Sequence, residues 1–100
     1  MIYANALKYN TPMLPSFSKR ALKLPLGTYE HYKGHQYEVL GVSRHSETHE
    51  EMVVYRAQYG SQDLWVRPLG SFLENVTLPD GKVVERFRLI SGKVCANQCC

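Results

Sequence analysis

The 100-residue chain lacks long hydrophobic runs and is too short for two large domains. No stretch approaches the roughly 20 consecutive apolar residues that a membrane-spanning helix needs, so an integral membrane protein with such helices is excluded and no membrane partner is expected. A cofactor domain beside a substrate domain would also need a longer chain. We therefore expect one small domain that holds no cofactor.

Cysteine is absent upstream of Cys95, and the three cysteines, Cys95, Cys99 and Cys100, lie close to the end of the sequence. An odd number crowded at one end cannot form a disulfide framework across a domain. The C-x-x-x-C-C spacing also differs from the paired C-x-x-C spacing of structural zinc sites. The simplest interpretation is a reducing, cytoplasmic setting, with residues 92–100 forming a cysteine-containing tail.

Acidic residues are missing from residues 1–26, which carry four basic ones, whereas residues 27–91 carry seven basic and nine acidic residues. The first segment also has three prolines and no hydrophobic periodicity. These features predict a flexible basic arm over residues 1–26 that could dock a protein partner, with organellar targeting as the alternative. The net charge of −2 on the remaining domain disfavours binding of bulk duplex nucleic acid by charge alone.

From Gly27 onward, short runs of β-branched and aromatic residues alternate with turn residues. The predicted strands cover residues 29–32, 37–42, 52–57, 64–67, 76–78 and 83–90. We expect a bulge at Gly41, a single helical turn at 70–75 and a hairpin turn at Pro79–Lys82. Residues 27–91 are therefore predicted to form a mostly β domain, a small antiparallel β-barrel with one short helical turn.

A domain of about 65 residues buries only about 60% of its unfolded surface, so its core is small. Most of that core is expected to come from Val39, Val42, Val53, Leu64, Val66, Leu69, Phe72, Val76, Phe87 and Leu89. Tyrosine and tryptophan side chains are expected at its edge, where their polar atoms reach water or a partner.

All four histidines lie between residues 31 and 49, as His31, His35, His45 and His49. On a helix the four-residue spacing within each pair would place metal ligands on one face. Gly34 and the surrounding β pattern argue against a helix at the first pair, and the second pair lies in a polar loop. We therefore predict no metal site.

The loop from Arg44 to Glu50 contains histidine, serine and glutamate. Neighbouring residues on an extended chain point to opposite sides, and the G-x-S-x-G nucleophile motif is absent from the sequence. We predict no catalytic nucleophile here. His45 and Glu47 are instead expected to cap turns or to hydrogen-bond a ligand.

Trp65 and Arg67 form the second notable pattern, because alternate residues of a strand share one face. An aromatic plate beside a guanidinium group can stack a planar group and hold an anion. In the alternative interpretation, Trp65 covers the edge of the core and Arg67 pairs with a carboxylate.

Several motifs in one order resemble a known family. They are Tyr29-x-His31-Tyr32-Lys33-Gly34-x-x-Tyr37, Arg44-His45-Ser46-Glu47-Thr48-x-Glu50, Val53-Val54-Tyr55, Tyr59-Gly60, Leu64-Trp65-Val66-Arg67-Pro68 and Arg86-Phe87. Together they resemble the small bacterial domain-of-unknown-function family 1653. The resemblance implies a compact barrel of the Src-homology-3-like type in which His31 and His45 converge. It implies no particular activity, substrate or catalytic residue.

The leading hypothesis is a non-catalytic binding module for a planar anionic ligand, such as a nucleotide, a modified base or a nucleic-acid end. Its ligand-binding face is predicted to consist of His31, His45, Glu47, Tyr55, Trp65 and Arg67. One alternative is a small hydrolase or transferase that uses His45 and Glu47 as an acid–base pair. The other is a structural barrel that docks a protein. A monomer or a weak homodimer is expected.

Overall fold

The computed structural model describes residues 16–95, which form two short helices and seven strands. The helices are α1 (Lys19–Leu22) and α2 (Leu69–Phe72). The strands are β1 (Pro25–His31), β2 (Gln36–Arg44), β3 (Glu51–Ala57), β4 (Leu64–Pro68), β5 (Asn75–Thr77), β6 (Val83–Glu85) and β7 (Phe87–Cys95). No helix in this part of the chain is long and apolar enough to span a membrane.

The strands form a five-stranded sheet of order β4-β3-β2-β1-β7 and a separate β5–β6 hairpin, and every pairing is antiparallel. The prediction of a small, mostly β, antiparallel domain is confirmed. The sheet does not close into a barrel, because within residues 16–95 β4 pairs only with β3 and β7 only with β1. The Src-homology-3-like description is therefore not confirmed.

One face of the five-stranded sheet carries the core. Tyr29, Val39, Val53 and Tyr55 are all at most 5% exposed, and the strand register places them on this inner face. The predicted bulge at Gly41 is confirmed by a register shift between Val39 and Gly41. Because the bulge adds one residue, Val39 and Val42 both reach the inner face although they are three positions apart.

The helix α2, which the predicted helical turn overlaps, covers the middle of this face. Its Phe72 is 1% exposed and stacks on Phe87 with ring centroids 4.2 Å apart and an angle of 6°. The same ring meets Tyr29 edge-on at 5.4 Å. Leu69 and Phe72 of α2 belong to the core cluster, so α2 covers this face, and the β5–β6 hairpin completes the connection from β4 to β7.

The last residues of the predicted arm belong to the folded domain. Ala21 is 0% and Leu24 3% exposed, because α1 packs against the core. The Ser18 hydroxyl caps α1 by accepting from the Ala21 N–H, and Ser18 also donates to both carboxylate oxygens of Glu51, at 2.6 and 2.8 Å. The structure thus corrects the arm prediction for residues 16–26, while residues 1–15 lie outside the described residues.

The predicted tail also begins inside the fold, since β7 continues past residue 91 and Cys95 pairs with Pro25 of β1. Cys99 and Cys100 lie outside the described residues. The core prediction is wrong at Leu64, Val66 and Leu89, which are 55%, 58% and 40% exposed. Leu64 and Val66 lie on the outer face of β4, because the face shared by Trp65 and Arg67 is the one turned to the core.

Candidate functional site

The inner face of β3 and β4 brings Tyr55, Trp65 and Arg67 together. Tyr55 lies opposite Trp65, and Val53 lies opposite Arg67, in the antiparallel register of these strands. Tyr55 is buried, whereas Trp65 is 51% exposed. The pair therefore presents an uncovered indole ring beside a hydroxyl group held at the edge of the core.

The Arg67 guanidinium lies half-buried among neutral groups. Its Nε donates to the Tyr55 hydroxyl at 3.4 Å and its Nη1 to the Ser71 hydroxyl at 3.1 Å, and its centre lies 5.6 Å from the Phe87 ring. Neither ion pair found in the described residues includes it. An arginine carries five N–H donors, so three of them have no acceptor in this part of the chain. The predicted alternative, a salt-bridged Arg67, is not observed there.

His31 ends β1 on the same side of the sheet. Its ring meets Phe87 edge-on at 4.9 Å, and its Nδ1 accepts from the Lys33 N–H at 3.1 Å. Burial lowers the pKa of His31, and the positive charges of Arg67 and then Arg86 lower this pKa further, followed by those of Lys33 and His35. The neutral ring with its proton on Nε2 is therefore favoured.

Two tyrosines that the site prediction missed extend this face. The Tyr37 and Tyr59 hydroxyls hydrogen-bond to each other at 2.8 Å, and Tyr59 stacks on His35 with centroids 4.2 Å apart. Burial raises the pKa of Tyr37 to about 12, with the Tyr59 hydrogen bond as the next cause, so this hydroxyl stays protonated at neutral pH. The alternation that begins at Tyr55 reaches Tyr59 two steps later, and this spacing is the signal that could have identified it.

A cleft of about 170 Å³ separates Tyr59 from Trp65. Ala57 and the turn of residues 60–63 complete its walls. The turn depends on two residues with positive φ, Gly60 and Gln62, both at 56°. This geometry leaves space between two partly exposed rings, and such a space can accept a flat group. Arg67 does not line the cleft, but it lies two residues from Trp65 on the same face of β4.

The structure places His45 and Glu47 far from His31, and the contacts of the described residues do not join them to Tyr55, Trp65 or Arg67. They lie in the loop between β2 and β3, whereas His31 and Tyr37 lie at the opposite end of β2, about 23 Å away for seven residues of strand. The resemblance implied that His31 and His45 converge, and the described structure separates them.

The ring of His45 serves its own loop. Its Nδ1 accepts from the Glu47 N–H at 3.1 Å and the Thr48 N–H at 3.3 Å. The backbone N–H of His45 donates to the Glu50 carbonyl at 2.8 Å, which closes the loop. The contacts found in the described residues do not join the His45 ring to the Glu47 carboxylate. This arrangement is that of a turn-capping residue.

A second cleft, of about 290 Å³, is lined by His31 and by residues of the β5–β6 hairpin. Glu30, Glu85 and Arg88 line it, and Arg88 pairs with Glu30 at 2.6 Å. With its single arginine paired and a further carboxylate in the wall, this cleft does not favour an anion. Residues 16–95 contain no group of three or more side chains arranged to hold a metal ion.

Comparisons with known proteins agree with the fold. The model of a family described as a protein of unknown function, DUF1653, matches residues 27–89. A crystal structure of a DUF1653 protein from Bordetella bronchiseptica is similar, with 32% sequence identity, a TM-score of 0.65, and coverage of 74% of this chain and 96% of that one. The comparison with curated proteins gives no match.

Proposed function

We propose that this chain, which belongs to the DUF1653 family of proteins of unknown function, is a non-catalytic binding module for a planar anionic ligand. The ligand classes that fit are a nucleotide, a modified base and a nucleic-acid end. The observation that carries the proposal is Arg67, a half-buried guanidinium with three unused N–H donors beside the exposed ring of Trp65.

Arg67 is the anion-binding group in this proposal. Its hydrogen bonds to Tyr55 and Ser71 fix the guanidinium plane, so little side-chain entropy is lost when an anion binds. Because both of these partners are neutral hydroxyl groups, the positive charge stays uncompensated. A phosphate or carboxylate would accept charge-assisted hydrogen bonds from the remaining donors.

Trp65 and Tyr59 provide the planar part of the proposed site. Trp65 offers an open ring face, and Tyr59 is held in place by Tyr37 and His35. Stacking on such rings is worth about 1–3 kcal/mol per base in single-stranded nucleic-acid complexes. His31 adds a neutral Nε2–H donor at the end of the same face, beside Phe87.

A second candidate function is protein docking through the outer face of β4. Leu64 and Val66 are more than half exposed there, on a strand at the edge of the sheet. Edge strands of this kind pair readily with other chains. Sedimentation of the full chain, alone and with Leu64→Glu, tests whether this edge joins two copies, and we expect a monomer or a weak homodimer.

Trp65 is the single tryptophan of the sequence, so its fluorescence reports directly on the proposed site. We would titrate the full chain with nucleoside monophosphates, with the corresponding nucleosides, and with inorganic phosphate. We expect the nucleotides to quench or shift the emission at lower concentration than the nucleosides or inorganic phosphate, because only the nucleotides reach both the aromatic rings and Arg67.

Arg67→Lys keeps the charge and removes the planar set of donors, and Arg88→Lys is the matched control on the other side of the sheet. Losing one charge-assisted pair costs about 1.5–3 kcal/mol, which corresponds to roughly 10- to 100-fold weaker binding. Arg88→Lys should bind like the parent. Equal affinity of Arg67→Lys and parent, or an unchanged Trp65 signal with every nucleotide at millimolar concentration, would overturn the proposal.

A further inference from the structure

The β3–β4 ladder extends one residue pair beyond β4. The Ala57 N–H donates to the Asp63 carbonyl at 3.0 Å, directly after the pairing of Arg56 with Leu64. Because side chains alternate along a strand, Asp63, Trp65 and Arg67 project from the same face. One edge of the sheet thus carries a carboxylate, an indole ring and a guanidinium group in a row.

Asp63 lines the 170 Å³ cleft together with Tyr59 and Trp65, and the alternation along the strand directs its carboxylate to their side. The side-chain hydrogen bonds and ion pairs of the described residues do not include it. The floor beneath is the methyl group of Ala57, which is 3% exposed. The cleft therefore has aromatic walls, a small apolar floor and an acceptor with free lone pairs.

The two ends of this row have opposite requirements. Asp63 accepts hydrogen bonds and repels anions, whereas Arg67 donates hydrogen bonds and attracts anions. Their Cα atoms are about 13 Å apart, for four residues of extended chain at about 3.3 Å each. A ligand that satisfies both has N–H donors on the edge of a flat ring and an anionic group at its other end, as a nucleoside monophosphate can.

We propose that the ligand is a guanine nucleotide, an inference that rests on the proposed function and adds the identity of the base. The outer edge of guanine presents two adjacent donors, N1–H and the N2 amino group, which one carboxylate can accept together. Adenine and cytosine present a ring-nitrogen lone pair beside their amino group, and uracil presents one N–H between two carbonyls. Those lone pairs face the Asp63 carboxylate and repel it, so the other bases bind more weakly.

The test compares GMP, IMP, AMP and UMP on the full chain by isothermal titration calorimetry. IMP keeps N1–H and lacks the N2 amino group, so it examines the second hydrogen bond without any change in the protein. We expect GMP to bind about 10- to 100-fold tighter than AMP or UMP, with IMP in between, as for a bidentate base contact.

Asp63→Asn is the test variant and Asp80→Asn the control, since Asp80 accepts from the Lys82 N–H in the distant hairpin turn and an asparagine oxygen can do the same. Asp63→Asn should bind all four nucleotides alike, with the affinity for the phosphate retained. Asp80→Asn should keep the preference for GMP.

Four equal affinities that Arg67→Lys lowers together would overturn the guanine assignment and leave the proposed function standing. A preference for GMP that survives in Asp63→Asn would likewise overturn the role of Asp63. No binding of any nucleotide would overturn both proposals.

Discussion

Replacing Trp65 with alanine distinguishes a binding residue from a residue of the core. Trp65 lies on the edge strand β4 with 51% of its surface exposed, and it has no ring contact with the described aromatic residues. Phe72 is the reference, because it is 1% exposed and contacts the rings of Phe87, Tyr29 and Tyr55. We expect Trp65→Ala to fold and lose nucleotide binding, and Phe72→Ala to lose much of its stability.

The magnitudes follow from the exposures. A fully covered aromatic side chain buries about 150–250 Å², so Trp65 at half coverage buries about 100 Å². At about 25 cal/mol per Å², less the area already covered in a compact unfolded chain, the loss in free energy of unfolding is about 2 kcal/mol. Phe72→Ala also leaves a cavity and should cost about 3–5 kcal/mol.

Thermal unfolding followed by far-ultraviolet circular dichroism is the assay, because Trp65→Ala removes the fluorophore. About 2 kcal/mol corresponds to a decrease in Tm of about 8–16 °C in a domain of this size. The decrease in Tm should be larger for Phe72→Ala. Calorimetric titration of the folded Trp65→Ala variant then measures nucleotide binding. If Trp65→Ala unfolded as readily as Phe72→Ala, the ring would be a structural residue and the reasoning from its exposure would be refuted.

Two further predictions concern the backbone and the pH dependence of stability. Gly27 has φ of 133° and faces the Ser91 carbonyl, so Gly27→Ala should lower the free energy of unfolding in urea by about 3 kcal/mol or more. Gly41→Ala is the control, because the space around its Cβ is open, and it should change stability by less than about 1 kcal/mol. Similar losses in the two variants would contradict the close contact at Gly27. Because the pKa of His31 is lowered in the folded state, the unfolded state binds more protons below about pH 6.5. The free energy of unfolding should therefore decrease more steeply between about pH 7 and pH 5 in the parent than in His31→Gln. Parallel curves would exclude a contribution of His31 to the pH dependence.

Much of the sheet could be predicted from local sequence. The predicted strands at 37–42, 52–57 and 64–67 overlap β2, β3 and β4, because their β-branched and aromatic runs end at clear turn residues. The predicted hairpin turn at Pro79–Lys82 is confirmed by the hydrogen bond from the Lys82 N–H to Asp80. The exposed positions of Leu64 and Val66 were not predictable, because alternation defines two faces without saying which one is covered.

The candidate site was predictable only where side chains alternate between the two faces of a strand. Trp65 and Arg67 share a face for that reason, and Tyr55 joins them through the β3–β4 register. The distance of His45 and Glu47 from His31 depends on the length and direction of β2, and sequence motifs alone give neither of these. The packing of α1 on the core could not be predicted, because Ala21 and Leu24 are isolated apolar residues in a polar segment.

The pairing of β1 with β7 sets the order in which the molecule can assemble. Strands β1 to β4 pair with their neighbours in sequence, whereas β7 returns from far along the chain, so that Leu89 meets Tyr29 and Cys95 meets Pro25. Such distant contacts form late, because the intervening loop must close before they contribute. Phe87 of β7 lies next to both Arg67 and His31, so a nascent chain that has formed only the β1–β4 meander has no complete site. A ligand that binds only the complete proposed site would stabilise the state in which β7 is paired.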